Sequence, residues 1–158
     1  MVTPPDVSVS TQVAAPVEAV YDLVADLPRM GEWSPECTSV TWRGGATEAV
    51  VGARFRGWNR KGPLRWFTDG VVVEADRGRA LAFDVRGLGL EVARWGYRFE
   101  PEGDGAWCTV TEEWTDHRSP PYRAITGVVI NVRDRPSHNR AGMERTLAKI
   151  KVAAEAGA

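Results

Sequence analysis

From Val7 to Asp116 the chain alternates between short runs of interleaved apolar and polar residues and clusters of turn-forming residues; past Pro120-Pro121 the apolar residues recur at helical spacing instead. That change of period narrows the possible folds more than any other feature. An alternation of two places one face of a strand in the core, whereas a spacing of about 3.6 places one stripe of a helix there. A sheet with one apolar face and a helix with one apolar stripe must cover each other, so the expected architecture is α+β, helix on antiparallel sheet.

Val7, Val9, Thr11 and Val13 alternate with Ser8, Ser10 and Gln12 as a first strand. Pro16, Val17, Val20, Tyr21 and Val24 then take helical spacing, with Pro16 suited to a first turn. Pro28 stops that helix, and a second short helix or turn is expected from Arg29 to Trp33. Further strands are expected over Ser39–Arg43, Ala53–Arg60, Leu64–Ala75, Arg79–Arg86, Glu91–Phe99 and Trp107–Asp116, about seven in all. Gly44-Gly45, Lys61-Gly62-Pro63, Asp76-Arg77-Gly78, Gly87 and Asp104-Gly105 provide the turns between them. Ile125, Val128, Val129 and Val132 form one later apolar stripe, and Met143, Leu147, Ile150 and Ala154 another. Pro136 predicts a kink or break between the two, with Ser137 as N-cap of the final helix.

The 158 residues suit one domain, 1–158, with 1–5 as a flexible tail. A net charge of −1 with both signs interspersed gives no stripe for nucleic acid. Cys37 and Cys108 lie far apart without ligand spacing, and His117 and His138 are the only histidines, so neither a metal nor another cofactor is expected. The start has no signal-peptide pattern and no run is long enough to span a bilayer, which predicts a cytoplasmic chain without integral membrane association, a monomer or homodimer. Seven tryptophans are a large share for this length, and their broad apolar surface with one polar handle suits a cavity wall.

Three stretches carry a resemblance to a known superfamily. Val13-Ala-Ala-Pro16-Val17 through Tyr21 looks like a strand-to-helix opening, and Glu32-Trp33-Ser34-Pro35 like the step after paired helices. His138-Asn139-Arg140 through Leu147 resembles a final-helix segment. In this order and at this length they resemble the START-like (SRPBCC) superfamily, in its bacterial polyketide cyclase/dehydrase-like branch. The resemblance implies a helix-grip fold: a curved seven-stranded antiparallel sheet around a long C-terminal helix, with two short helices after the first strand. It also implies a cavity for a lipid-like or polyketide-like molecule.

No nucleophile elbow or phosphate loop is present, and Gly87-Leu-Gly89 lacks the third glycine of a dinucleotide loop. The expected walls are Trp33, Phe55, Trp66, Phe83, Trp95, Tyr97, Trp114, Met143 and Leu147, with Asn59 and Asn139 as orienting polar groups. Phe55 and Asn59 are read as inward because the reverse face would bury Arg54, Arg56 and Arg60. Glu112 shares a strand face with Val110 and Trp114, where a desolvated carboxyl serves as acid or base; an ion pair with Arg94 or Arg98, or solvent exposure, is the structural alternative. His138 is the second catalytic candidate, against a plain helix-start role. A binder of a hydrophobic small molecule and a cofactor-independent polyketide cyclase/dehydratase both follow from this pattern; a groove for a protein segment would need an exposed apolar patch.

Overall fold

The computed structural model describes residues 3–157. Seven strands, β1 (Val7–Val13), β2 (Cys37–Arg43), β3 (Arg54–Lys61), β4 (Leu64–Asp76), β5 (Ala80–Gly87), β6 (Leu90–Glu102) and β7 (Trp107–Asp116), form one antiparallel sheet. Its order is β1-β7-β6-β5-β4-β3-β2. The last six strands follow one another as a meander, and β1 returns to pair with β7. Of the expected N-terminal tail, residues 1 and 2 lie outside the described residues; 3–5 precede β1 without regular structure.

Turn chemistry sets this meander. The β3–β4 connection is the dipeptide Gly62-Pro63, with Gly62 at φ 58°. The β5–β6 connection is Leu88-Gly89, both in the left-handed region at φ 53° and 78°, which matches the right-handed strand twist. Register shifts between Val72 and Glu74 and between Val85 and Arg86 interrupt the ladders. Such irregularities bend strands and help a sheet curve.

Between β1 and β2 lie α1 (Val17–Ala25) and a 3-10 helix (Leu27–Glu32). Pro28 sits in the first turn of this second helix, so it opens that element where the sequence had suggested an ending for the first. After β7 come α2 (Pro120–Val129) and α3 (Arg135–Ala156). The break between these two precedes Pro136, which occupies the first turn of α3. The N-cap of α3 is Asp134, not Ser137: Oδ1 of Asp134 accepts the Ser137 backbone N–H at 3.2 Å, and the Ser137 hydroxyl bonds the same carboxylate. Asp accepts as well as Ser at this position, and the missing N–H of Pro136 is an orphan of the first turn anyway.

α3 packs on β1, β7 and α1, burying Met143, Leu147, Ile150 and Ala154 as the helical spacing predicts. The stripe on α2 behaves differently. Ile125, Val128 and Val129 are exposed, and α2 has no buried residue.

Candidate functional site

The inner face of the sheet reads as rows of cross-strand partners. One runs Val9–Glu112–Tyr97–Leu81 from β1 through β7 and β6 to β5, and the next Trp114–Trp95–Phe83–Val72 from β7 to β4. A third row brings Val85 opposite Gly70, and Gly70 opposite Phe55. The β3 to β7 members Phe55, Phe83, Val85, Trp95, Tyr97, Glu112 and Trp114 of these rows, with the N-terminal half of α3, the 3-10 helix and α2, border a cavity of about 690 Å³.

Of the expected wall residues, Phe55, Trp66, Phe83, Trp95, Tyr97, Trp114 and Met143 line this cavity. Phe55 and Phe83 meet edge to face at 5.3 Å between ring centroids, and Trp95 lies 6.4 Å from Trp114. Asn59, Glu112, His138 and Asn139 also line it. Arg56, on the opposite face of β3 from Phe55, pairs with Asp69 at 2.8 Å over the Phe67 ring.

Two expected residues stand elsewhere. Trp33 is buried at the end of the 3-10 helix with the Arg29 guanidinium 5.0 Å above its ring, outside the lining. Leu147 lies one helical turn beyond Met143, in the part of α3 that closes the core, and does not reach the cavity either. The lining also includes residues not expected there from the sequence: Tyr122, Ile125, Thr126 and Val129 from α2, Arg118, and the ion pair of Arg135 with Glu36 at 2.9 Å. The apolar spacing of α2 was visible in the sequence, but spacing alone does not distinguish a stripe facing a packed core from one facing a cavity.

Glu112 is 3% exposed and has no cationic partner among the described residues. Arg94 pairs with Asp84 and Arg98 with Glu74, so the ion pair considered for Glu112 does not form. Instead the Tyr97 hydroxyl, directly opposite on β6, donates to Glu112 Oε1 at 2.8 Å. Burial pushes the Glu112 carboxyl up to about 8, against the smaller opposing effect of the Tyr97 hydrogen bond. Burial and the neighbouring Glu112 hold the Tyr97 hydroxyl well above its usual range. Glu112 is therefore a neutral acid at neutral pH.

His138 is half-buried on α3, and burial holds its imidazole below its ordinary value, with Glu36 acting in the other direction. Burial pushes the Cys37 thiol up to about 11, so it lines the cavity as a protonated, weakly polar group. Among the described residues no group of three or more His, Cys, Asp or Glu is placed to hold a metal, and no helix is long and apolar enough to cross a membrane.

A family model for polyketide cyclase / dehydrase and lipid transport matches residues 4–155. The Polyketide_cyc-like protein Cgl2372 of Corynebacterium glutamicum is 30% identical, with a TM-score of 0.61 over 94% of this chain and 90% of that one. DR_A0006 of Deinococcus radiodurans has the same fold at 18% identity, with a TM-score of 0.65 over 96% and 98% of the two chains. The di-domain ARO/CYC StfQ of the steffimycin biosynthetic pathway, 14% identical, aligns with a TM-score of 0.67 over 94% of this chain and 44% of its own length. No curated protein matches the chain. With its family model spanning nearly every residue and its seven-stranded sheet closed over a cavity by α3, the chain belongs to the polyketide cyclase/dehydrase and lipid transport family.

Proposed function

We propose that this chain binds a hydrophobic or amphipathic small molecule, lipid-like or polyketide-like, in the cavity between the sheet and α3. The observation that carries this reading is the cavity itself: about 690 Å³, walled by Phe55, Phe83, Trp95, Trp114 and Met143, with few polar groups. Small-molecule sites span roughly 300–1,000 Å³ and have this mixture of apolar wall and sparse polar groups. The family description, which names lipid transport beside cyclase and dehydrase chemistry, supports the same class of ligand.

Native mass spectrometry of the purified protein, followed by solvent extraction, tests the proposal. A bound apolar molecule recovered unchanged after incubation with the protein is the expected result. Failure to retain or take up any member of a panel of fatty acids and aromatic polyketides would remove it.

A second reading, a polyketide cyclase or dehydratase, is favoured by one specific observation. Glu112 is a buried carboxyl that keeps its proton at neutral pH and faces the cavity, as a general acid must. The cavity would hold a flexible chain in a reactive conformer, and Glu112 or His138 would move the proton. In this reading Glu112→Gln abolishes turnover while affinity stays within a few-fold; retained turnover would exclude Glu112 from the chemistry.

A further inference from the structure

Three polar side chains are fully buried among the described residues: Glu112, Asn139 and Thr146. Thr146 is satisfied within α3, its hydroxyl donating to the Gly142 carbonyl at 2.9 Å. The other two are not. Glu112 Oε2 and Asn139 Nδ2 are both buried without a hydrogen-bond partner. Both residues line the cavity, one from the sheet on β7 and the other from α3, which packs on β7. Two orphaned atoms in one cavity are a departure from the rule that buried polar groups are paired.

The chemistry of the two atoms is the same. Tyr97 donates to Oε1, which leaves the Glu112 proton on Oε2, and burial keeps that proton in place at neutral pH. Asn139 Nδ2 is an amide nitrogen and can only donate. The cavity therefore presents two donors and asks for acceptors.

Resting on the small-molecule reading of the cavity, we propose that Glu112 and Asn139 form a donor pair that selects apolar ligands carrying carbonyl oxygens, with Tyr97 as the positioning residue that fixes which Glu112 oxygen faces the ligand. Both donors are already buried and unpaired without a ligand, so a hydrocarbon in the cavity leaves them unpaired, whereas a ketone of the same shape satisfies one or both. Meeting one such buried donor strengthens binding of the ketone over the hydrocarbon by roughly ten-fold.

The test uses a shape-matched pair, 2-acetylnaphthalene and 2-isopropylnaphthalene, titrated into the intact protein by NMR, together with the infrared stretch of the carbonyl-13C-labelled ketone. The expected result is a ketone preference of about ten-fold or more and a red-shifted carbonyl band on binding. Glu112→Gln, which keeps a donor, should retain the preference and the shift. Glu112→Leu and Asn139→Leu should each reduce both while isopropylnaphthalene affinity is unchanged or stronger, an outcome that a merely structural role would not give. Equal affinity of the two probes for the wild-type protein, with no band shift, overturns the donor pair and leaves the small-molecule reading standing. Binding of neither probe overturns the reading of the cavity and this inference with it.

Discussion

Glu112 has a consequence beyond ligand binding, because a carboxyl that stays protonated in the fold ties stability to pH. Its folded value is about 8 against 4.5 for the ordinary side chain. Between those values the folded state holds a proton that the unfolded chain releases, so folding takes up a proton and stability falls as pH rises. This contribution is fully present below about 4.5, declines by up to about 1.4 kcal/mol per pH unit, and is lost above about 8. Carboxylates such as Asp84, held below the ordinary 3.8 by the Arg94 hydrogen bond, act in the opposite direction, but only in more acid solution. Urea denaturation from pH 5 to pH 8.5 should show the decline in the wild type and a flatter profile in Glu112→Gln. At the same scale, Gly70 is required by a close approach: the Phe55 ring lies over it, where any Cβ would overlap the ring. Gly70→Ala should push Phe55 off its edge-to-face contact with Phe83 and cost about 1–3 kcal/mol, read as a lower urea midpoint at an unchanged m-value. The sequence singled out Glu112 and Phe55 by strand alternation. It did not identify Tyr97 as the partner of Glu112, because that pairing depends on the register across the β6–β7 hairpin.

At the scale of elements, the β5–β6 hairpin and α2 depart from what stability alone would favour. Leu88 occupies a left-handed position at φ 53° with 89% of its surface exposed, at the rim of the cavity. A branched side chain there is strained, while Asn-Gly is the favoured dipeptide for such a turn. Leu88→Asn should therefore stabilise the protein by about 1 kcal/mol, seen as a higher melting temperature. α2 has no buried residue, although Thr126 accepts a hydrogen bond from Arg118 at 2.8 Å and Tyr122 packs close to Gly87. Few buried contacts mean a low cost of local opening. The amides of α2 should exchange with solvent well before those of α3, whose Met143, Leu147 and Ile150 are buried; equal protection in hydrogen-exchange mass spectrometry would contradict this. Both helices showed apolar spacing in the sequence. Their difference comes from what lies opposite: α3 meets a packed sheet, whereas α2 spans the side of a cavity.

For the whole molecule, a cavity of about 690 Å³ removes packing that a solid core would have. A ligand that fills it should return that stability by mass action, about 2.7 kcal/mol at a hundred times its dissociation constant. Thermal denaturation with increasing probe should thus show a melting temperature that climbs with concentration. The sequence by itself determined the elements and their order, because strand alternation, helical spacing and Gly- or Pro-containing turns are local and each is set by a few neighbouring residues. It also indicated which residues are apolar on alternating strands, and so named Phe55, Phe83, Trp95 and Trp114 as wall candidates, while their meeting on one wall depends on strand register. Tertiary structure alone decided where that wall becomes a cavity. Curvature of the sheet and the position of α3 leave Met143 at the lining and Leu147, one turn on, in the core, and they set Trp33 apart from the site. The same long-range geometry leaves one oxygen of Glu112 and the amide nitrogen of Asn139 without partners, since a buried polar group's satisfaction depends on residues distant in the chain.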